Sequence, residues 1–247
     1  MKFSITAVSN VGCVRENNED LVLVDTKFVR NDKYWTMVDV ASTERYLIAL
    51  ADGMGGHNRG EVASSDALHN LQFFFSDLPT GLSSGDFNEM MIEWLNSINN
   101  IIDSKGRSEA QYRDMGTTLV SLAYFENEFY WMNCGDSRLY HFRDGVLKQL
   151  TTDHSLDNLK GTTGHSSIIT NCIGGGCKSS FMDIVKCTGL FESGDILLLC
   201  SDGLTDMVSD AVIANLLNQG ADASRLCDTA LAAGGFDNVS VIVIKIV

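Results

Sequence analysis

LVSLAYFENEFYWMNCGDSRLYHFRDGVLKQL, residues 119 to 150, holds four apolar runs of strand length, at 119–125, 129–134, 139–142 and 146–150. Glu126-Asn127-Glu128, Gly135-Asp136-Ser137 and Arg143-Asp144-Gly145 separate them with turn chemistry. The pattern predicts a meander of antiparallel strands. Further runs flank it: residues 3–9 alternate loosely, 21–24 and 46–50 are apolar, and 195–200 and 239–247 are strongly so. Weaker strand signals lie at 168–173 and within 182–187. Residues 27–45 are polar and irregular, and read as an extended hairpin or insertion.

Helical spacing occupies two blocks. Ala63, Ala67, Leu71 and then Phe74 or Phe75 recur at the period of an amphipathic helix, stopped near Pro79 and Gly81. Phe87, Met91, Trp94, Ile98 and Ile101 or Ile102 mark a second helix that starts at Asp86. Downstream, Ser209 reads as the N-cap of a helix that Gly220 stops, and 223–233 reads as another. Blocks of strands followed by helix pairs, in place of strict alternation, predict an α+β fold with sheets packed together and helices outside. With no repeat, low-complexity segment or linker, residues 1–247 are expected to form a single domain.

Bulk properties narrow the function. The chain is 45% hydrophobic, enough for a sizeable core. Eighteen Lys and Arg face 32 Asp and Glu, a formal net charge of -14. That argues against a nucleic-acid partner, whose phosphates need Lys and Arg, and against an anionic membrane surface. No apolar run approaches the roughly 20 residues of a membrane span, and Met1-Lys2-Phe3-Ser4 opens no signal-peptide core. A cytoplasmic monomer is expected. The seven cysteines include no C-x-x-C pair and read as reduced core thiols.

Acids recur at predicted strand edges beside Gly, Asn or Ser. Asp52-Gly53 follows the run 46–50, and Asp202-Gly203 follows the run 195–200. Glu19 and Asp20 precede the run 21–24, Asp136 follows 129–134, and Asp237 precedes 239–247. Gathered together, these carboxylates would repel one another strongly without a cation. Mg²⁺ or Mn²⁺, which prefer oxygen ligands, would resolve the repulsion, and two such ions can activate a water and hold a phosphoryl oxygen. Arg15 offers a planar fork for the other phosphate oxygens. Zinc is disfavoured because no His/Cys cluster has ligand spacing.

RENNED (15–20), ADGMGGH (51–57), MGTTL (115–119), NCGDSR (133–138), TTDHS (151–155), CSDGLTD (200–206) and GGFDNVS (234–240) occur in that order. Together they resemble the metal-dependent serine/threonine protein phosphatases of type 2C, and the DGMGGH form is similar to bacterial members. The resemblance spans nearly the whole chain. It implies a four-layer αββα sandwich of two antiparallel sheets flanked by helix pairs. It also implies phosphorylated protein substrates, opposition to a Ser/Thr kinase, and two Mg²⁺ or Mn²⁺ ions with a third, weaker position.

The resemblance assigns roles to residues. Asp52 would bridge two metals, the Gly53 carbonyl would bind one, and Asp202 and Asp237 would complete the other. Glu19 would lie near the ion that Gly53 contacts, with Asp20 in support. Asp136 would share the third position with Asp202. Arg15 would bind the substrate phosphate, Asn238 would orient water on the metals, and Gly116 and Thr117 would shape the sheet. The implied reaction is in-line attack on phosphorus without a covalent intermediate.

Two departures stand out. Met54 occupies a position where many eukaryotic relatives carry a His acid, which leaves metal-bound water, or His57 beyond two glycines, as proton donor. The flap, around 155–167, is shorter than in relatives. Two other readings compete. A pseudophosphatase would be expected to lose these acids or Arg15, and this chain keeps them; a two-metal nuclease is disfavoured by the acidic charge.

Overall fold

A computed structural model describes residues 1–55, 59–161, 168–177 and 179–247. The first strands are β1 (Lys2–Asn10), β2 (Leu21–Val24), β3 (Lys27–Val29), β4 (Asp32–Asp39), β5 (Arg45–Ala51) and β6 (Gly53–Met54), followed by helices α1 (Gly60–Ser76) and α2 (Ser84–Ser108). Next come β7 (Gly116–Thr117), β8 (Leu119–Phe125), β9 (Glu128–Cys134), β10 (Arg138–Arg143) and β11 (Val146–Gln149). The short α3 (Leu156–Lys160), β12 (Ile173–Gly174), β13 (Asp183–Lys186) and β14 (Ile196–Cys200) follow. Helices α4 (Asp202–Thr205), α5 (Asp210–Asn218) and α6 (Ala223–Ala232) precede the closing strand β15 (Val239–Ile246).

Two six-stranded antiparallel sheets stack, in the orders β11-β10-β14-β15-β1-β4 and β13-β9-β8-β5-β2-β3. Their inner strands β2, β5, β8, β14 and β15 read as continuous apolar runs because both faces are covered, whereas the edge strands β4, β11 and β13 are partly exposed. In β5, Tyr46, Ile48 and Leu50 enter the core between the sheets, while Leu47, Ala49 and Ala51 face α1 and α2. In β15, Ile242 and Ile244 enter the same central core, while Val239, Val241 and Val243 face α5 and α6. The alternation of side chains along each strand thus divides the apolar residues among three cores and sets four layers, αββα. A fully buried Leu or Ile contributes roughly 1.5–3 kcal/mol, so these cores hold the sandwich together.

Local signals fix the helix ends. Ser83 and Asp86 form a reciprocal capping box at the start of α2: the Ser83 hydroxyl accepts from the Asp86 N–H, and the Asp86 carboxylate accepts from the Ser83 N–H. Ser209 occupies the N-cap of α5, though its side chain makes no capping bond.

Three segments depart from the sequence reading. Residues 27–45 form β3 and β4, and β4 crosses to the other sheet to become its edge beside β1. The expected strand at 168–173 shrinks to β12 and one bridge from Ile169 to Ser155. A small third sheet, β12-β7-β6, was not anticipated, because strands of two residues leave no periodicity to read.

Gly203, in α4, lies against the backbone carbonyl of Asn238, and a Cβ there would collide with that oxygen. Gly203→Ala is expected to cost about 1–3 kcal/mol, as overpacking does. At Gly85 in α2 a Cβ would meet only Ser83 Oγ, at 3.6 Å. Gly85→Ala is therefore expected to change stability by less than about 1 kcal/mol. Urea unfolding of the two variants against the parent checks both outcomes.

Candidate active site

Asp52 stands where two neighbouring strands leave the large sheet together. Strand β5 ends at Ala51 and β8 begins at Leu119, while β6 and β7 pair beyond them in the small sheet, with Gly53 opposite Thr117. Between them, Asp52 and Thr118 lock the change of direction. The Asp52 carbonyl accepts from the Thr118 N–H and the Thr117 hydroxyl, both at 2.9 Å, and the Asp52 N–H donates to Thr118 Oγ1 at 3.1 Å. The Thr118 hydroxyl also meets Ser137 Oγ at 2.7 Å, which ties this corner to the loop carrying Asp136.

The start of α1 closes over the same corner. A Cβ on Gly53 would strike the Gly60 carbonyl, and one on Gly60 would lie 2.7 Å from the Gly53 carbonyl oxygen, so close approach requires glycine at both. Glu19 Oε1 accepts from the Gly60 N–H at 3.1 Å, and the Ser64 hydroxyl donates to the Glu19 carbonyl. A carboxylate at the first turn of a helix also complements its dipole.

The other strand ends bring their acids alongside. Asp20 is fully buried, and its Oδ2 accepts from the Ser201 hydroxyl at 3.0 Å, so the residue before Asp202 touches the start of β2. Asn238 gathers the loop before β2. Its Oδ1 accepts from the Glu19 N–H at 2.8 Å, and its Nδ2 donates to the carbonyls of Val11 and Asn17, both at 2.9 Å. Both amide hydrogens of Asn238 are therefore spent on backbone, which makes it a clamp on this loop and leaves neither hydrogen for a water. Arg15, on the same loop, donates to Asp237 Oδ2 at 2.7 Å, while Asp237 Oδ1 accepts from the Asn238 N–H at 2.8 Å.

These acids act on one another electrostatically. Burial holds the Asp52 carboxyl well above the usual carboxylate range, and the charges of Asp20, Asp202, Asp136 and Asp237 raise it further. Asp202 is likewise raised well above it, by burial and then by Asp136, Asp237, Asp206 and Asp20. Burial lifts Asp20 to about 6 against the opposing hydroxyls of Ser240 and Ser201. Asp136 is lifted to about 6 by burial and by Asp153. Glu19 is raised by burial, against the Gly60 N–H. Asp206 was not anticipated as a member of this group; its only sequence signal was its place in the CSDGLTD run.

Among the described residues, no three His, Cys, Asp or Glu side chains close around one point as a finished ligand set. Asp237 shows one reason: both its oxygens are engaged, one by Arg15 and one by the Asn238 N–H. The donor chemistry nevertheless fits a hard divalent cation. It is oxygen only, and Asp20 Oδ1 and Asp136 Oδ1 are buried without any hydrogen-bond partner. Unpaired buried acceptors of this kind are costly unless something positive faces them.

Two expected features lie wholly or partly outside the described residues. His57 is one. The flap is described only as far as Gly161: Ser155 caps the single turn of α3, Gly161 ends it in the left-handed conformation, and residues 162–167 are not described. Met54 is described, paired with Gly116 in the small sheet.

Comparison with known proteins agrees with this geometry. A family model described as Protein phosphatase 2C matches residues 26–232. Protein phosphatase PhpP of Streptococcus pneumoniae is 33% identical over 256 residues, covering 98% of this chain and 96% of PhpP. The structure of the S. agalactiae serine/threonine phosphatase superposes with a TM-score of 0.83 at 28% identity, over 99% of this chain and 100% of that one. The catalytic domain of the serine/threonine protein phosphatase PstP, solved in complex with two manganese ions, gives 0.73 at 31% identity over 98% of each chain. PstP is known from Mycobacterium tuberculosis. The chain belongs to the protein phosphatase 2C family.

Proposed function

We propose that this chain is a protein serine/threonine phosphatase that hydrolyses phosphoserine and phosphothreonine monoesters with the help of Mn²⁺ or Mg²⁺. The observation that carries the reading is the gathering of buried acids from separate strand ends, where burial and neighbouring carboxylates raise Asp52 and Asp202 and carboxylate oxygens of Asp20 and Asp136 are left unpaired. Family membership and the named activities of PhpP and PstP support it.

Asp52, the Gly53 carbonyl, Asp202 and Asp237 would hold two ions, with Glu19 beside the one at Gly53 and Asp136 with Asp202 at a third, weaker position. Divalent ions so placed lower the pKa of water and neutralise phosphoryl charge. The chain's own groups do the rest. Arg15 is half exposed and its guanidinium lies among Asp237, Glu19 and Asp202, so it can turn from Asp237 to a phosphate dianion beside the acids. Asn238 holds the Arg15–Glu19 loop in register with Asp237. Met54 has no proton to give, so no side chain described at this position acts as an acid toward the leaving oxygen.

The acidic chain gives no support to a nucleic-acid substrate. Among the described residues no helix is long and apolar enough to cross a membrane. A single catalytic domain over residues 1–247, acting as a cytoplasmic monomer in signalling against a Ser/Thr kinase, completes the proposal.

Asp52→Asn is expected to lower kcat on a phosphothreonine peptide with Mn²⁺ by at least about 100-fold, the scale of losing a transition-state charge contact. Arg15→Lys keeps the charge and loses the fork, and is expected to raise KM by about tenfold with a smaller change in kcat. Parent protein inactive on phosphopeptides with either metal would overturn the reading.

The buried acids also predict how stability varies with pH. Asp20 and Asp136 titrate near 6 in the fold, above the ~3.9 of an unfolded Asp, so the folded state binds protons more readily. Their contribution is fully present below the unfolded value and is lost as pH rises through about 6. In EDTA the Tm is therefore expected to rise as pH falls from about 7.5 to about 5. Mn²⁺ needs the deprotonated acids, so the Tm increment it adds is expected to shrink over the same range. Thermal melts with and without metal check both slopes.

A further inference from the structure

The turn at Cys172-Ile173-Gly174-Gly175-Gly176-Cys177 carries two thiols that the phosphatase chemistry does not use. Their Sγ atoms are 3.3 Å apart. Cys172 is buried and Cys177 is half-buried. The remaining cysteines are the exposed Cys13 and the buried Cys134, Cys187, Cys200 and Cys227. Closing the gap to a disulfide of about 2.05 Å needs a movement of about 1.3 Å. Three consecutive glycines with positive φ, at +74°, +58° and +77°, span the turn between the sulfurs. Gly175 leaves room for Cys172, since a Cβ there would lie 2.8 Å from that Sγ.

This turn is joined to the catalytic corner through the small sheet. Gly174 pairs with Gly116, and Gly116 pairs with Met54. The Gly175 N–H donates to the Met115 carbonyl at 2.8 Å. Thr117, next along β7, pairs with Gly53 and donates its hydroxyl to the Asp52 carbonyl. On the other side, Asn99 of α2 holds the turn in place: its Oδ1 accepts from the Gly174 N–H at 2.7 Å and from the Ser180 hydroxyl at 2.8 Å. A shift of the turn against α2 must therefore be taken up by β7 and β6.

We propose that Cys172 and Cys177 form a reversible disulfide in response to hydrogen peroxide, and that this cross-link slows the phosphatase by displacing the Asp52–Gly53 corner. The regulatory half rests on the proposed function; the cross-link itself does not. The accessible Cys177, as thiolate, attacks the peroxide oxygen, breaking the O–O bond and expelling hydroxide, which leaves Cys177 as a sulfenic acid. Cys172 Sγ then attacks the Cys177 sulfur, the S–S bond forms, and the sulfenic oxygen leaves as water with the Cys172 proton. Two thiols and one peroxide give one disulfide and two waters, the sulfurs losing two electrons and the peroxide gaining them. Burial pushes the Cys172 thiol up, so the half-buried Cys177 and not Cys172 meets the peroxide first, and the 3.3 Å separation of the two sulfurs brings Cys172 to the second step.

The test treats Mn²⁺-loaded protein with hydrogen peroxide, then reads differential alkylation with peptide mapping and the initial rate on a phosphothreonine peptide. A Cys172–Cys177 cross-linked peptide is expected, with a rate fall of about tenfold, within the loss that displacements of about 1 Å produce. Dithiothreitol is expected to restore the rate. Cys177→Ser and Cys172→Ser are each expected to keep the basal rate and to lose the response, while Cys13→Ser retains it. Sulfinic or sulfonic acid at these positions without a cross-link, pairing through Cys134 instead, or a cross-link that leaves the rate unchanged would overturn the proposal. If the reduced protein has no phosphatase activity, the proposed function fails and the regulatory half with it, while the peptide map still decides whether the two thiols join.

Discussion

Asp52 and Asp202 carry like charge into a region where burial already disfavours ionisation, and the acids around them raise their affinity for protons further, Asp202 among them for Asp52 and Asp136 among them for both. Asp136, Asp20 and Asp237 add to the strain. Left to itself such a group would move apart, because exposed carboxylates repel less and hydrate better. It stays together because each acid flanks a strand or opens a helix whose backbone is fixed elsewhere. The apolar cores of β5, β14 and β15 outweigh the local repulsion, so the fold supplies the work needed to hold the carboxylates near one another. A divalent cation would reverse the sign of that interaction.

Much of this was readable in the sequence, for a specific reason. Strands buried on both faces are long, apolar and sharply bounded, so the acids at their ends stand out against the runs before them. Asp52 after 46–50 and Asp202 after 195–200 are the clearest cases. The two helix pairs were equally clear, because Phe87, Met91, Trp94 and Ile98 mark the buried face of α2 at regular spacing. What the sequence left obscure was short or conditional. Strands β6, β7 and β12 have two residues each and no pattern of their own. The course of 27–45 depended on which sheet had a free edge, and no local signal in that polar segment states it.

The polar support of the site was hidden for a different reason. Ser201, Ser240, Thr118 and Ser137 are ordinary residues in sequence. In the fold they are buried around the acids: Ser201 donates to the Asp20 carboxylate, while Thr118 Oγ1 accepts from the Asp52 N–H and meets Ser137 Oγ. Their importance comes only from burial, where an unpaired polar group is expensive and a hydroxyl is a small group that can donate or accept. Asn238 illustrates the same limit. The resemblance implied a water for it to orient; the sequence did not show that its amide also holds three backbone groups of the loop from Val11 to Glu19. That loop has no secondary structure of its own, so Asn238 sets its course together with the Gly60 N–H and the Ser64 hydroxyl on Glu19 and the bond from the Cys13 N–H to the Gly235 carbonyl.

Arg15 and Asp237 then show how the site can be both assembled and unfinished. Their 2.7 Å contact neutralises one acid of the cluster and keeps the arginine at the pocket. Both groups are substantially exposed, so the pair is worth little as a structural bond, within about 1 kcal/mol. A weak contact between two groups that each have a stronger prospective partner costs little to exchange. Phosphate offers Arg15 two acceptors in the plane of its fork, and a cation offers Asp237 a full opposite charge. The strong interactions of the fold thus lie in the strands beneath the site, and the contacts across its mouth are weak enough to be replaced by whatever binds there.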